Sequence, residues 1–560
     1  MAISQTSRLK GTVINESGEP LSGVSVEIRR VSGPERQLIV SDTNGVFVFS
    51  GLSPLSKYNL LCSYVGFENY SLKEIVVTEK EERSILIRMK PRQTDLDQVV
   101  VVGYGAQKKV NLTGAVSTIS SQKTADRPLS NLSMALAGLS SGLQITQSSG
   151  SRPGFDGAKI RIRGQGTLNN SEPLIIIDGA PGNINDINPQ DVESISILKD
   201  ASSSAVYGSR AANGVILVTT RKGSQGTAKI NYQGNVAAQK VSNKMDIVSN
   251  YADFMELQNE GYRNSGLAPN FSQEKIAEWR QAGNSDPIKY PNTDWQDVFF
   301  RTGWMQSHNL SINGGTDKLR YFVSGGYLKN PGIIPNADFE KYSARVNLFA
   351  DVKPWFSIGT NLYGYVSNHN PNSVAASGGG DVLFGGALGT TPGMVLKHPD
   401  GRLGGMNNTE DNAGSANNNP FRRMNFYKHN IPVITNMLSP RFSAILRPVK
   451  NLSIEASYNY NYTDQQEERH LQDADLWNFY TNTIARSGKV RTYINAFNYK
   501  TVYSQMDAIA RYSYKVNDLL DINLMAGASQ EMYRYKWIRA QKYDLLDESL
   551  VVFDATTADP

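Results

Sequence analysis

From Arg8 the chain alternates apolar and polar residues in short runs: "GTVINESGEPLSGVSVEIRR", "VSDTNGVFVFSGL", "YNLLCSYVGFENY" and "EIVVTEKEERSILIRM". Gly18, Pro20, Gly23 and the triplet Thr43–Gly45 mark bends. About seven strands in some eighty residues predict a small β-sandwich. Past Lys229 the period-two pattern returns in longer strands. Leu452, Ile454, Ala456, Tyr458, Tyr460 and Tyr462 share one face, opposite Ser453, Glu455, Ser457, Asn459 and Asn461. Met506, Ala508, Ala510, Tyr512 and Tyr514 oppose Asp507, Arg511, Ser513 and Lys515, and Tyr342, Ala344, Val346, Leu348 and Ala350 oppose Ser343, Arg345, Asn347 and Asp351. An apolar face ending in tyrosines suits lipid and its interface, with the polar face towards a wet lumen. A soluble sandwich would also alternate, so the period alone does not decide.

Connection lengths discriminate better. Tight turns are expected near Asp317, Lys353, Lys450 and Asn517, with long stretches from about Ser242 to Thr302, Asn368 to Thr435 and Asp464 to Gly488. Short turns alternating with long loops are the asymmetry of an outer-membrane barrel. The first long stretch contains "SQEKIAEWRQAG", a helix with Ser272 as N-cap. The second is rich in Gly and Asn, as a flexible or ligand-facing loop is. The tally of long strands is about nine, too few to close a large barrel.

Between these regions the spacing predicts strands over Lys159–Arg163, Leu174–Ile177, Ser194–Leu198 and Val215–Thr220, and a helical "LSNLSMALAGL". A short helix, Ala201–Tyr207, should start after Asp200 as N-cap and stop at Gly208. Gly138-Leu139-Ser140-Ser141-Gly142 matches G-x-S-x-G, but that chemistry needs a strand-to-helix turn, and here a helix precedes Ser140. The histidines, His308, His369, His398, His429 and His470, all lie far downstream. No phosphate loop, zinc motif or convergent catalytic set is present, so neither an enzyme, a cofactor nor a metal is expected. Upstream, Val99–Val102 form a strongly β-prone run between acidic Asp95 and Asp97 and basic Lys108 and Lys109, with no partner strand expected one tight turn away.

Composition narrows the field. The 560 residues require several domains. A net charge of +5, from 57 basic and 52 acidic residues, gives no electrostatic case for nucleic acid. Cys62 is the sole cysteine, which excludes an intrachain disulfide, and its strand setting suits a packed thiol. No apolar run approaches the roughly 18 residues of a membrane-crossing helix. "MAISQTSRLKGTV" lacks the basic start and apolar middle of a signal peptide.

Longer motifs carry a resemblance. "GTVINESGEPLSGVSVEI", "TNGVFVFSGL" and "YVGFENY" resemble the carboxypeptidase-regulatory-like domain, a transthyretin-like fold. "DLDQVVVVGYGAQKKVNLTGAVSTI", "IRIRG", "PLIIIDGAP" and "INPQDVESISILKDASSSAVYGSRAANGVILVTTRKG" resemble the SusC-like TonB-dependent outer-membrane transporters, the RagA/SusC family. Departures are small: "GLSSG" stands for a usual Pro-Gly, and "IIIDGAP" for "VIDGVP". The resemblance implies a mainly β chain: a sandwich at 1–91, a TonB box and linker at 92–113, an α/β plug at 114–225, and the first part of an antiparallel barrel at 226–560. With no signal peptide and no final strand, the sequence is expected to be an N-terminal fragment of a longer transporter.

The resemblance also implies roles. Asp97, Gln98, Val99, Val100, Val101 and Val102 form the TonB box, a segment that periplasmic TonB binds by strand addition, with the charged flanks guarding it beforehand. Gly103 and Gly105 around Tyr104 keep the next stretch flexible, and proline at Val100 or Val101 should abolish binding. The plug motif comprises Arg161, Arg163, Gly164, Asp178, Gly179, Glu193, Lys199, Asp200, Tyr207, Gly208 and Arg210. Alternation puts Arg161 and Arg163 on one face, so with Glu193 and Asp200 they are expected to anchor the plug in the barrel. The implied partners are TonB, a SusD-like surface lipoprotein, outer-membrane lipid and an oligosaccharide or peptide ligand. The implied activity is TonB-powered import of an oligomeric nutrient, a glycan before a peptide; a non-transporting surface adhesin is the rival.

Overall fold

The computed structural model describes the chain from Ser7 to Thr556 apart from 91–98, 109–115, 371–388, 406–418, 423–432 and shorter breaks. It divides into two compact units, Met1–Val116 and Ser117–Pro560.

In the first unit seven strands form two facing sheets: β1 (Ser7–Ile14), β2 (Ser25–Arg30), β3 (Arg36–Val40), β4 (Val46–Leu52), β5 (Lys57–Ser63), β6 (Tyr70–Val76) and β7 (Glu82–Arg88). The sheet orders are β4-β1-β7 and β3-β2-β5-β6. Period-two alternation sends Leu9, Val13, Val26, Ile28, Phe49, Leu60 and Cys62 into one shared core. Tyr58 is buried there, and its hydroxyl accepts from the Ser53 amide at 2.8 Å and donates to Glu35 at 2.9 Å, so the polar tip is satisfied. Burial pushes the Cys62 thiol up to about 12.

Next come β8 (Val99–Val102) and β9 (Gly105–Lys108), an antiparallel hairpin with Val102 opposite Gly105 and Val99 opposite Lys108. The expectation that the valines lack a near partner is therefore corrected. Gly105, read from the sequence as linker, opens the second strand.

The second unit contains β10 (Val116–Ser120), β11 (Leu143–Thr146), β12 (Lys159–Ile162), β13 (Leu174–Ile177), β14 (Ala180–Pro181), β15 (Val192–Leu198) and β16 (Val215–Thr220). Five of these make a mixed sheet ordered β10-β15-β16-β13-β14, and β11 pairs with β12. Helices α1 (Ser121–Ala125), α2 (Leu132–Ala135) and α3 (Ala201–Ser204) pack around it. β16 lies inside the sheet with nearly every residue buried, which is why its first four residues, Val215 to Val218, read as an unbroken apolar run. The expected helix over 201–207 is shorter. α3 gives way to a 3-10 segment kinked at Gly208, where φ is 65°.

A nine-stranded antiparallel sheet follows, its strands in chain order. They are β17 (Gly226–Gln239), β18 (Gly303–Gly315), β19 (Leu319–Pro331), β20 (Asp338–Lys353), β21 (Phe356–Asn370), β23 (Val433–Leu446), β24 (Leu452–Leu471), β27 (Tyr493–Lys515) and β28 (Asp521–Tyr543). Short strands β22 (Leu403–Gly404), β25 (Leu476–Asn478) and β26 (Thr483–Arg486) sit in the long connections. Tight turns join β18 to β19, β20 to β21 and β23 to β24 at one end. The opposite end carries the long connections, with the short 332–337 link as the exception.

Burial on this sheet is inverted. On β20, Arg345 and Asn347 are 3 % and 4 % exposed, while Tyr342 and Leu348 are 51 % and 37 % exposed. On β27, Gln505 is buried and Met506 exposed. A soluble sandwich buries its apolar face; this sheet covers its polar one. The outward stretch of β27 from Val502 to Tyr512, apolar except for Ser504, spans about 25 Å at a tilt near 40°, the height of a barrel's lipid-facing band.

The first long connection builds its own core from α4 (Tyr251–Asn264), α5 (Gln273–Ala282) and α6 (Trp295–Phe299), with Tyr251, Met255, Trp279, Trp295 and Phe299 buried together. The Ser272 hydroxyl caps α5 by accepting from the Lys275 amide at 3.2 Å.

Candidate functional site

The polar face of the sheet is covered by the α/β segment, and the contact concentrates on β20. Its inward residues alternate, so Lys341, Arg345 and Asn347 all point the same way. The Arg345 guanidinium lies 3.2 Å from Asp191 and 3.8 Å from Asp178, and stacks 4.4 Å over the Tyr363 ring. Ser324 on β19 donates to Asp191 at 2.7 Å.

Local geometry delivers each carboxylate. Asp178 and Gly179 form the two-residue turn between β13 and β14, with φ of 48° and 94°. Both central residues of such a hairpin turn need positive φ, which an Asp-Gly pair supplies at little strain. From that turn Asp178 accepts from the Thr220 amide at 2.9 Å and hydroxyl at 2.6 Å. Gly179 lies under Arg441 of β23, where an added Cβ would press within 3.3 Å of the guanidinium. Asp191 ends a 3-10 turn over Pro189–Asp191, whose N-cap Asn188 accepts from the Gln190 amide at 3.1 Å. Burial pushes the Asp191 carboxyl up, opposed by the neighbouring Arg345.

A second cation sits four residues, about 13 Å, away on the same strand. Lys341 donates to the Asp186 carbonyl at 2.6 Å and lies 4.5 Å over the Tyr365 ring. Tyr363 also donates to that carbonyl, and Tyr365 donates to the Asp186 carboxylate at 3.1 Å. Asn347 donates to the Arg221 carbonyl at 2.7 Å. Across the sheet, Arg210 makes a two-pronged pair with Glu531 of β28 at 2.7 and 2.6 Å. Asn461 donates to the Pro181 carbonyl at 3.3 Å.

The expected anchor is therefore corrected in its direction of charge. Arg161 donates to Ser171 at 3.3 Å and Arg163 pairs with Asp200, both within the α/β segment. The cause is local: β12 ends at Ile162, Arg163 turns left-handed at φ 58°, and Gly164 follows at φ 92°. Alternation stops one residue early, so the two arginines do not share a face. Asp200 occupies the N-cap position of α3 without a side-chain cap bond. Lys199 donates to Ser117 at 2.6 Å and to the Ser141 carbonyl at 2.7 Å. Glu193 is exposed on β15, and Tyr207 lies beside the Gly208 kink. The principal seat instead puts cations on the sheet and carboxylates in the inserted segment. Arg345 is legible as a polar-face position, but nothing in the sequence points to Asp186, Asp191 or Glu531.

Of the proposed docking segment, Asp97 and Gln98 fall outside the described residues, as do Gly103 and Tyr104. In a hairpin joined by two residues, the flanking pair Val102–Gly105 exchanges hydrogen bonds and the pattern alternates from there. Val100 then bonds inward to Gln107, while Val99 and Val101 direct their backbone groups to the outer edge.

Comparison with known proteins yields matches over much of the chain. Residues 8–90 match the Carboxypeptidase regulatory-like domain family and residues 108–215 the TonB-dependent Receptor Plug Domain family. The chain is 31 % identical to TonB-dependent receptor P3 of Formosa agariphila over 75 % of its own length and 38 % of the relative's. It is 33 % identical to TonB-dependent receptor SusC of Bacteroides thetaiotaomicron over 70 % of its own length and 36 % of the relative's. It thus spans well under half of either relative. Its fold is similar to the RagAB peptide importer in the open-open state, with a TM-score of 0.67 and 23 % identity, over 82 % of this chain and 52 % of that one.

Proposed function

We propose that this chain, which belongs to the SusC-like TonB-dependent receptors, serves TonB-driven import of an oligomeric nutrient across the outer membrane, with a SusD-like lipoprotein closing the channel from outside. The observation that carries the reading is the plug seated on the buried polar face of an inside-out sheet. Such a plug blocks the lumen at rest, and an ion-paired, hydrogen-bonded seat can open and re-form, as a dry apolar one resists doing. Import then needs energy at the plug, and TonB would deliver it by pairing with the Val99–Val102 edge.

A glycan cargo is favoured by the long connections. There the His398 ring lies tilted by 32° against Phe479 with centroids 4.0 Å apart, and Arg402 lies 4.2 Å over Trp477. Aromatic faces beside fixed polar groups suit sugar rings. The test is uptake of labelled oligosaccharides and labelled peptides by cells expressing the full-length gene. Sugar uptake that stops on deleting Asp97–Val102 supports the reading. Uptake that survives the deletion refutes TonB coupling, peptide uptake alone refutes the glycan assignment, and surface binding without uptake favours an adhesin.

A further inference from the structure

On the outer face of β27 and β28 the apolar band gives way to cations at the long-loop end. Parity fixes which residues face out. Exposed Met506 marks the even residues of β27 as the lipid side, and Glu531, which reaches Arg210 of the plug, marks the odd residues of β28 as the lumen side. Lys500, Arg534 and Lys536 therefore face outward together. Lys500 lies opposite Lys536, and Arg534 lies opposite Val502, nearer the band. Asp464, opposite Lys500 on β24, approaches its ammonium to 3.9 Å. Three cations stand against this one carboxylate at the depth where hydrocarbon ends and headgroups begin.

Deeper on the same face, Ala444, Ala456, Ala508 and Ala528 lie directly opposite one another across four strands. They floor a groove whose rim is Phe442, Tyr458, Met506 and, opposite Met506 on β28, Gln530. Ala528 and Arg534 are separated by about 20 Å of strand, or about 15 Å of depth at a tilt near 40°, which is half a hydrocarbon core. The cations and the groove are thus spaced as the headgroup and chain end of one outer-leaflet lipid.

We propose that this face binds a phosphorylated glycolipid of the outer leaflet, its phosphate held by Lys500, Arg534 and Lys536 and one acyl chain lying towards the alanine groove. The inference rests on the outer-membrane reading above. Arginine meets phosphate through two parallel donors and lysine as a point charge, so the trio selects an anionic headgroup over a zwitterionic one.

The test uses full-length protein extracted in mild detergent from outer-membrane fractions, with retained lipid counted by native mass spectrometry. Unaltered protein should keep phosphorylated glycolipid, and the combined Lys500→Ala, Arg534→Ala and Lys536→Ala variant should retain about tenfold less or lower. Lys450→Ala, in a turn at the opposite end, should match the unaltered protein. Ala508→Trp, which fills the groove and keeps the cations, should lower retention as well. Equal retention by the triple variant overturns the proposal, and so does displacement of the lipid by inorganic phosphate alone, which would mark a free-anion site. A protein missing from the outer-membrane fraction sinks the parent reading, whereas a correctly inserted protein without bound glycolipid sinks this inference alone.

Discussion

Replacing Arg345 with alanine should loosen the plug more than any other single change in the seat. The guanidinium is 3 % exposed and faces Asp191, itself 2 % exposed, and Asp178 at 10 %. Its removal strands buried carboxylates in a site that burial already makes unfavourable for charge. Breaking a buried pair from one side costs about 3–5 kcal/mol, which raises the unseated fraction by about a hundredfold to a few thousandfold. Arg345→Lys keeps the charge but loses the planar face over Tyr363, so its cost should be smaller. Arg345→Met combined with Asp178→Asn and Asp191→Asn should recover much of the loss, because no unpaired charge remains. The assay is conductance of the full-length protein in planar bilayers, with entry of a large antibiotic into cells as the second readout. Unchanged conductance in Arg345→Ala, or a triple variant as leaky as the single one, would refute the reasoning.

Three further outcomes follow from the geometry. The hairpin revises the expectation for Val100, because Val101→Pro removes an outward N–H from β8 whereas Val100→Pro removes one that the hairpin uses; pull-down of the periplasmic TonB domain by a peptide spanning Thr94–Lys109 should fail for the first and persist for the second, and equal loss would refute the edge assignment. Arg161→Ala should leave antibiotic leakage unchanged, since its hydroxyl partner Ser171 is internal to the plug; leakage matching that of Arg345→Ala would show that it reaches the barrel. Cys62 should resist iodoacetamide at pH 9 until the sandwich unfolds, because its folded pKa of about 12 exceeds the unfolded value near 8.5. By the same shift, the stability this group contributes is full below about pH 8.5 and is lost as pH climbs towards the folded value, which urea melts across that range would detect.

Periodicity and turn chemistry carried most of the architecture. Leu174–Ile177 and Val215–Thr220 stand in the structure with the bounds the sequence implied, because each is a β-prone run, apolar throughout in the first and ending in two threonines in the second, that starts after a breaker, Pro173 or Gly214. The nine long strands and the Ser272 cap were legible for the same kind of reason. The partner of the valine strand was not, since Gly-Ala-Gln-Lys has poor strand propensity and pairs only because a tight turn presents it. The plug seat was hidden in a different way. Arg345 and Asp191 meet across 154 positions of chain, and alternation gives the face of a charge but never its partner. Arg163 misled through one left-handed backbone angle, which no side-chain pattern announces.

The inverted burial of the sheet means that one polypeptide carries instructions for two solvents. The N-terminal sandwich hides its apolar side chains and can fold in water as soon as it is made. The nine strands expose theirs, and in water that band would drive association with any other apolar surface. A cell making this protein must therefore delay the second unit after the first has finished. Whatever escorts it to the bilayer has to bind an extended, alternating chain rather than a folded domain.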